Sequence, residues 1–279
     1  TTVILDLGAG TATTHTRPTG TLMGTGFLAP DGRLFTPISA KGGTGFQVYE
    51  PSRNQIRDLA AIAPNVGGET KPLCVGPDGM IYGAGSESSR RAICYQIDPK
   101  TETITSYGPV GPSHAPNGCW GYYVAADTRY VYVSSGKIPW YLVAYDRETG
   151  QDAVLLTLDD PTGSISLGQI RGCPFATVRH SGGKPWESYW LVNGKPVPQK
   201  EGNEAPPVVH PYPAPPAAPI RPTRTGDLEP LADGKVSLAL QMPGDTNGAT
   251  RQTFAFTVPT YPANVYQIAA LPDGRICGS

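Results

Sequence analysis

The sequence predicts an all-β chain built by repetition of one unit of four short antiparallel strands, and three observations carry that expectation. A turn acid recurs at Glu50, Asp98 and Asp146, and both spacings (98 − 50 and 146 − 98) are 48 residues. A second turn lies upstream in each unit, at Pro30-Asp-Gly-Arg-Leu-Phe, Pro77-Asp-Gly-Met-Ile-Tyr and Asp127-Thr-Arg-Tyr-Val-Tyr. Each is a turn followed by apolar alternation, the pattern of a hairpin entering a half-buried strand. Finally, 34 glycines and 30 prolines accompany 39% hydrophobic and 9% aromatic residues. Many short strands joined by tight turns produce that balance.

Within one period the order is an inner strand before the upstream turn, a second after it, a third before the acidic turn and an outer fourth. Four strands in about 40 to 50 residues make the blade of a β-propeller. The third strands are Gly45-Phe-Gln-Val-Tyr-Glu, Ala92-Ile-Cys-Tyr-Gln-Ile-Asp and Tyr141-Leu-Val-Ala-Tyr-Asp. Phe46, Val48, Ile93, Tyr95, Leu142 and Ala144 are expected at equivalent positions in them.

Three blades are placed at residues 21–60, 70–108 and 118–158. A looser fourth covers 170–200, with Trp186–Val192 and Lys195–Gln199 as its strands. Residues 205–222 hold eight prolines in eighteen, which favours polyproline II and reads as a surface insertion. A fifth blade spans 224–258, with Val236–Met242 and Thr253–Val258 as strands. Val265–Leu271 and the following Pro272-Asp-Gly-Arg-Ile-Cys begin a sixth that stops after two strands. The opening Val3-Ile-Leu-Asp-Leu reads as an outer strand with no blade of its own. The expectation is therefore a single domain over residues 1–279, of about five blades and an incomplete sixth. That makes it part of a larger propeller, or one that a second chain completes.

A net charge of −1 offers no global attraction to nucleic acid or to an anionic membrane. No apolar run approaches the roughly 18 residues that cross a bilayer, and no signal peptide is read at the N-terminus. Cys74, Cys94, Cys119, Cys173 and Cys277 form no C-x-x-C pair, which argues against structural zinc. An odd count leaves at least one thiol unpaired, and the pairing of the others open.

The Pro-Asp-Gly and Asp-Pro-x-Thr turns resemble those of bacterial repeat propellers of the gluconolactonase, quinoprotein and YVTN type, over most of residues 20–150. The quinoprotein-like Asp146-Arg-Glu-Thr-Gly150 occurs once, and the Trp-Asp ending of WD40 repeats is absent. The resemblance implies the fold and leaves the activity undefined.

Blade topology says where a site belongs. The loop between strands two and three and the loop between blades share one face, around the mouth of the central channel, and function on repeat scaffolds gathers on such a loop face. Sorting the loops of the first three blades, and the entry to the fourth, puts Arg17, Lys41, Lys71, Arg90, Arg91, Lys137 and Arg171 on that face, against Glu69 and Glu87. The opposite turns mix both signs. One positive face would attract an anionic ligand.

The loop Ser113–Tyr123 adds His114, Asn117, Trp120 and Tyr122, and His15 precedes the first blade. Aromatic and basic groups together suit sugars bearing carboxylates or sulfates. The structural alternatives are interblade packing for Trp120 and Tyr122, a solvated loop position for His114 and an ordinary exposed pair at Arg90-Arg91. Similarity to propeller-fold polysaccharide lyases implies binding and β-elimination of a uronate-containing polysaccharide. A cation (Arg171 or Lys71) would neutralise the carboxylate, and His114 and Tyr122 would serve as base and acid in either order. His15, Arg17, Lys71, Asn117, Trp120 and Lys137 would bind substrate, in a secreted or periplasmic setting. The other reading is a non-catalytic binding or assembly module whose proline-rich insertion docks a partner. No metal ligand set is read, and a cofactor stays unassigned.

Overall fold

The computed structural model describes residues 2–6, 9–15, 27–41, 43–60, 63–64, 66–86, 91–113, 120–136, 138–170, 172–199, 224–231, 235–241, 251–257, 268–270 and 275–278. Apart from one 3-10 turn at Pro51–Arg53, the regular elements among these residues are strands. The strands form six separate antiparallel sheets arranged as the blades of a propeller.

Blade 1 comprises β3 (Phe27–Leu28), β4 (Leu34–Ala40), β5 (Gly43–Glu50) and β6 (Gln55–Asp58), with β7 (Ala63–Pro64) added beside β5. Blade 2 is β8 (Gly67–Val75), β9 (Ile81–Ser86), β10 (Ala92–Asp98) and β11 (Thr103–Val110). Blade 3 is β12 (Gly121–Ala126), β13 (Tyr130–Gly136), β14 (Trp140–Asp146) and β15 (Asp152–Leu158). Blade 4 is β16 (Ser164–Ile170), β17 (Cys173–Arg179), β18 (Glu187–Val192) and β19 (Lys195–Pro198). Three strands of blade 5 are described, β20 (Arg224–Pro230), β21 (Lys235–Gln241) and β22 (Arg251–Thr257).

Blade 6 joins the two ends of the sequence. Its order is β23 (Ile268–Ala270), β24 (Ile276–Gly278), β1 (Thr2–Asp6), β2 (Thr11–His15), with Val3 opposite Gly278 and Leu5 opposite Ile276. The C-terminal strands that look unfinished in the sequence thus share a sheet with the two N-terminal strands. Val3–Leu5 lies third in its sheet, inside β2, rather than at the outer edge.

The core lies between blades. Alternate residues of one strand point to opposite neighbours, as the pleat requires. On β1, Val3 and Leu5 pack with Val236, Leu238, Leu240, Phe254 and Phe256 of blade 5, whereas Ile4 packs with Leu34 and Tyr49 of blade 1. Phe46 and Val48 meet Ile93, Tyr95 and Ile97 across the gap between blades 1 and 2. Each fully buried large side chain contributes roughly 1.5–3 kcal/mol, so these seams dominate stability.

One expected equivalence is corrected here. Glu50, Asp98 and Asp146 do end the third strands β5, β10 and β14. Phe46 and Val48 face the next blade, and so do Leu142 and Ala144, but Ile93 and Tyr95 face the preceding one. The residues of β10 that face forward include Ala92 and Cys94, which pack with Val131, Val133 and Val143 of blade 3. A one-residue slip in alignment exchanges the faces of a strand.

The turns at the end away from the channel mouth are tied blade to blade. Arg33 of blade 1 bonds Glu102 and the Pro99 carbonyl of blade 2, and Arg57 bonds Glu102 as well as Glu50 of its own blade. Arg147 of blade 3 bonds Asp78 and the Tyr82 hydroxyl of blade 2. Gly194 of blade 4 donates its N–H to Tyr132 of blade 3 at 3.0 Å. Part of the mixed charge of that face thus links neighbouring blades.

Cys74, Cys94 and Cys173 are buried free thiols. Cys119, the side chain of Cys277 and the proline-rich stretch 205–222 lie outside the described residues.

Candidate functional site

On the face that carries the loops between blades, three described aromatic side chains of blade 3 meet. Trp120 stands just before β12, where its carbonyl accepts a bond from the Gly136 N–H at the end of β13 (3.2 Å). Gly121 then pairs with Ser135 and Tyr123 with Ser134, so Tyr122 is the extra residue of a β-bulge. Bulges bend a strand and re-aim a side chain. Here the Tyr122 ring is set 6.3 Å from that of Trp120, edge to face, and 4.9 Å from that of Trp140, the first residue of β14.

The three rings form a row across the mouth end of the blade, from its inner strand to its third. Trp140 anchors the row, because it packs on the seam of Leu142, Ile165, Ala176 and Val178 between blades 3 and 4. Trp120 is the open end, 45% exposed. Loop geometry supports the anchor. Gly136 has φ +98°, and a Cβ there would lie 2.3 Å from the Pro139 carbonyl oxygen. Ile138, β-branched, is held at φ +64°, a conformation costing on the order of 1–3 kcal/mol that persists only when its surroundings fix it.

Two of the residues expected at the site are therefore brought together, Trp120 and Tyr122, with Trp140 as a third. Trp140 was legible through a signal that the turn analysis passes over. Pro139-Trp140 and Pro185-Trp186 recur at a spacing (186 − 140) of 46, close to the repeat period, each at the entry to a third strand.

The other expected residues fall elsewhere or outside the description. Lys71 lies within β8, opposite Ala84, and not in the loop between blades. His15 ends the outermost strand of blade 6, opposite Thr2, far along the sheet from its inner strand. Side-chain positions of both, and residues Arg17, His114, Asn117, Lys137 and Arg171, are outside the described residues. Ile170 and Cys173 nevertheless pair directly across the turn between the first two strands of blade 4. The apolar segments Ser164–Ile170 and Cys173–Arg179 are two strands of blade 4, and the sequence reading placed its entry one hairpin too late.

Of the seven cations sorted to the loop face, two have described side chains: Lys41, exposed in the turn between β4 and β5, and Arg91, which donates to the Gly111 carbonyl at 2.8 Å; blade 4 adds exposed Lys184 in the loop between β17 and β18. Asp159 and Asp160, in the loop from blade 3 to blade 4, stand on the same face. Asp160 accepts bonds from the N–H groups of Ser181, Thr162 and Gly163, and these donors hold its carboxyl below the usual range. Among the described residues no three His, Cys, Asp or Glu side chains are grouped to hold a metal, and no helix is long and apolar enough to cross a membrane.

The six sheets and their interblade seams define the class of the protein as a β-propeller. No family model matches the sequence, and no curated protein matches it. Solved structures resemble it at low identity. A protein from Lactobacillus plantarum is 16% identical over 68% of this chain and 59% of its own, with a TM-score of 0.44. A luciferin-regenerating enzyme is 15% identical over 56% of this chain and 53% of its own, TM-score 0.37. An exo-1,5-α-L-arabinanase from a bovine ruminal metagenomic library is 11% identical over 60% of this chain and 73% of its own, TM-score 0.36. The chain therefore spans between half and three fifths of the length of the first two.

Proposed function

We propose that this propeller binds carbohydrate at the mouth end of blade 3, with the rings of Trp120, Tyr122 and Trp140 as the platform. The observation that carries the reading is the row itself, anchored at Trp140 and open at Trp120. The C–H face of a sugar ring is an apolar, weakly positive surface, and it complements the negative face of an indole or phenol. A row of rings joined to a rigid seam gives that contact without ordering new side chains.

A uronate-containing polysaccharide is the narrower form of this ligand, and cleavage by β-elimination its narrower activity. Elimination requires a cation, a base and an acid at one place. Tyr122 stands on the platform as the acid or base, and the cations named for neutralisation are Arg171 and Lys71. Binding is the function put forward, and a secreted or periplasmic location goes with such a ligand.

The test is an array of acidic and neutral polysaccharides probed with the protein and with Trp120→Ala. Retention on at least one glycan, reduced tenfold or more in the variant, is the expected result. Equal retention of both proteins would remove the platform. Incubation with polyuronates, followed by ultraviolet absorbance of unsaturated products, decides the elimination separately.

A further inference from the structure

We infer that a second ring-binding position lies on blade 4 at Trp186, so that the ligand is a chain of several sugars laid across blades 3 and 4 and not a single sugar. This rests on the carbohydrate reading of the blade 3 platform. Trp186 is the most exposed of the large hydrophobic residues described, at 65%. It stands in the loop between β17 (Cys173–Arg179) and β18 (Glu187–Val192), on the same face as Trp120. It also repeats the place of Trp140. Trp186 and Val192, the last residue of β18, are six positions apart (192 − 186), as are Trp140 and Asp146, the last residue of β14 (146 − 140).

Its surroundings specify the chemistry of the occupant. The Arg179 guanidinium lies 5.6 Å from the centre of the indole, which holds the ring in place while leaving it open to solvent. The rest of the loop is His180-Ser-Gly-Gly-Lys-Pro, followed by Glu187, with His180 Nε2 and Glu187 Oε1 3.1 Å apart. Only Pro185 in that loop is apolar. A protein interface centres its exposed tryptophan in a desolvated apolar patch. A lone ring under a guanidinium, in a loop whose other side chains carry hydroxyl, imidazole, ammonium and carboxylate groups, suits a ligand with an apolar face and a polar rim, which describes a sugar. Blades 3 and 4 are adjacent sheets, and packed sheets lie roughly 10 Å apart. One ring cannot cover both positions, but a chain can.

The four tryptophans, Trp120, Trp140, Trp186 and Trp190, give four indole N–H signals for NMR, assignable with Trp→Phe variants. Titration uses oligogalacturonates and xylo-oligosaccharides from disaccharide to about octasaccharide. The expected result is that the shorter members of the bound series shift the Trp120 signal alone, whereas longer ones shift Trp120 and Trp186 together. Affinity should rise with length in the native protein, and Trp186→Ala should erase that rise while sparing the shortest ligand. A Trp186 signal unmoved by every length, with Trp120 responding, would overturn the second position and leave the platform standing. Signals unmoved at both residues by every sugar would sink the platform and this inference together. A Trp186 shift that follows protein concentration without sugar assigns the ring to contact between copies and also overturns it.

Discussion

Arg275 of blade 6 donates to the Pro51 carbonyl of blade 1, and its guanidinium lies 5.6 Å from the centre of the Tyr49 ring. Arg33 does the same one blade further on, reaching the Pro99 carbonyl of blade 2. Both arginines close a Pro-Asp-Gly-Arg turn, and both prolines follow the acid that ends a third strand. At the next interface the turn carries Met80 in place of arginine, and Arg147 of blade 3 reaches back to Asp78 instead. The seam between blades 2 and 3 is thus latched from the other side.

Arg275→Ala removes the latch between the blade holding both ends of the sequence and the first blade. A hydrogen bond from a charged group contributes about 1.5–3 kcal/mol, less at a partly exposed site, so a loss of about 1 kcal/mol is expected. Urea unfolding should show a lower midpoint with an unchanged slope. An unshifted midpoint would mean that the seam of Ile4, Leu34 and Tyr49 closes the ring unaided.

Two buried tyrosines should respond oppositely to loss of their hydroxyls. The Tyr132 hydroxyl donates to Asp127 at 2.8 Å and accepts from Gly194, whereas the Tyr95 hydroxyl is buried without a partner. Tyr132→Phe leaves a buried acceptor and donor unpaired and should cost about 1–3 kcal/mol. Tyr95→Phe should be neutral or stabilising, since it removes a desolvated group with nothing to lose. Gly83→Ala is expected to be much worse than either, because its Cβ would sit 2.3 Å from the Tyr95 ring. Thermal melts of the three variants give the comparison.

What the sequence shows well is what local chemistry determines. Asp98 Oδ1 accepts the N–H of Lys100 at 2.8 Å, and Asp146 Oδ1 accepts that of Glu148 at 2.9 Å, so the acid is required by its own turn and its period is visible. Blade 4 turns otherwise. Its outer hairpin uses Asn193-Gly194, both at positive φ, and lacks the acid that marks the earlier blades. Its first two strands were therefore missed. The pairing of β1 with β24 joins opposite ends of the sequence, and no local pattern encodes it. The aromatic row depends on a bulge at Tyr122, which changes which side a residue faces without changing the residues.

The free thiols Cys74, Cys94 and Cys173 should resist alkylation in the native protein at neutral pH. The thiolate is the reactive form, and burial raises all three, Cys173 to about 11. Iodoacetamide labelling followed by peptide mass mapping should find them protected until denaturant is added. Modification of Cys94 before unfolding would indicate opening of the seam between blades 2 and 3, where it packs.

Acid should loosen the ring from the latched face. Arg57 hydrogen-bonds Glu50 and Glu102 and holds both carboxyls below their ordinary value, and Arg129 does so for Asp146. Asp98 is lowered by the Lys100 N–H. A carboxyl whose folded value is depressed stabilises the fold fully above its unfolded value, about 4, and loses that contribution as pH falls through the folded value. Stability should therefore be flat near neutrality and decline from about pH 5 downward, continuing well below pH 4. Arg57→Gln removes the partner of two carboxyls, so it should lower the plateau near neutrality and shrink the acid-dependent loss. Melting temperatures from pH 7 to about pH 2 for both proteins test this. Parallel curves, with the variant losing as much on acidification as the parent, would show that Glu50 and Glu102 keep their low values through groups other than Arg57.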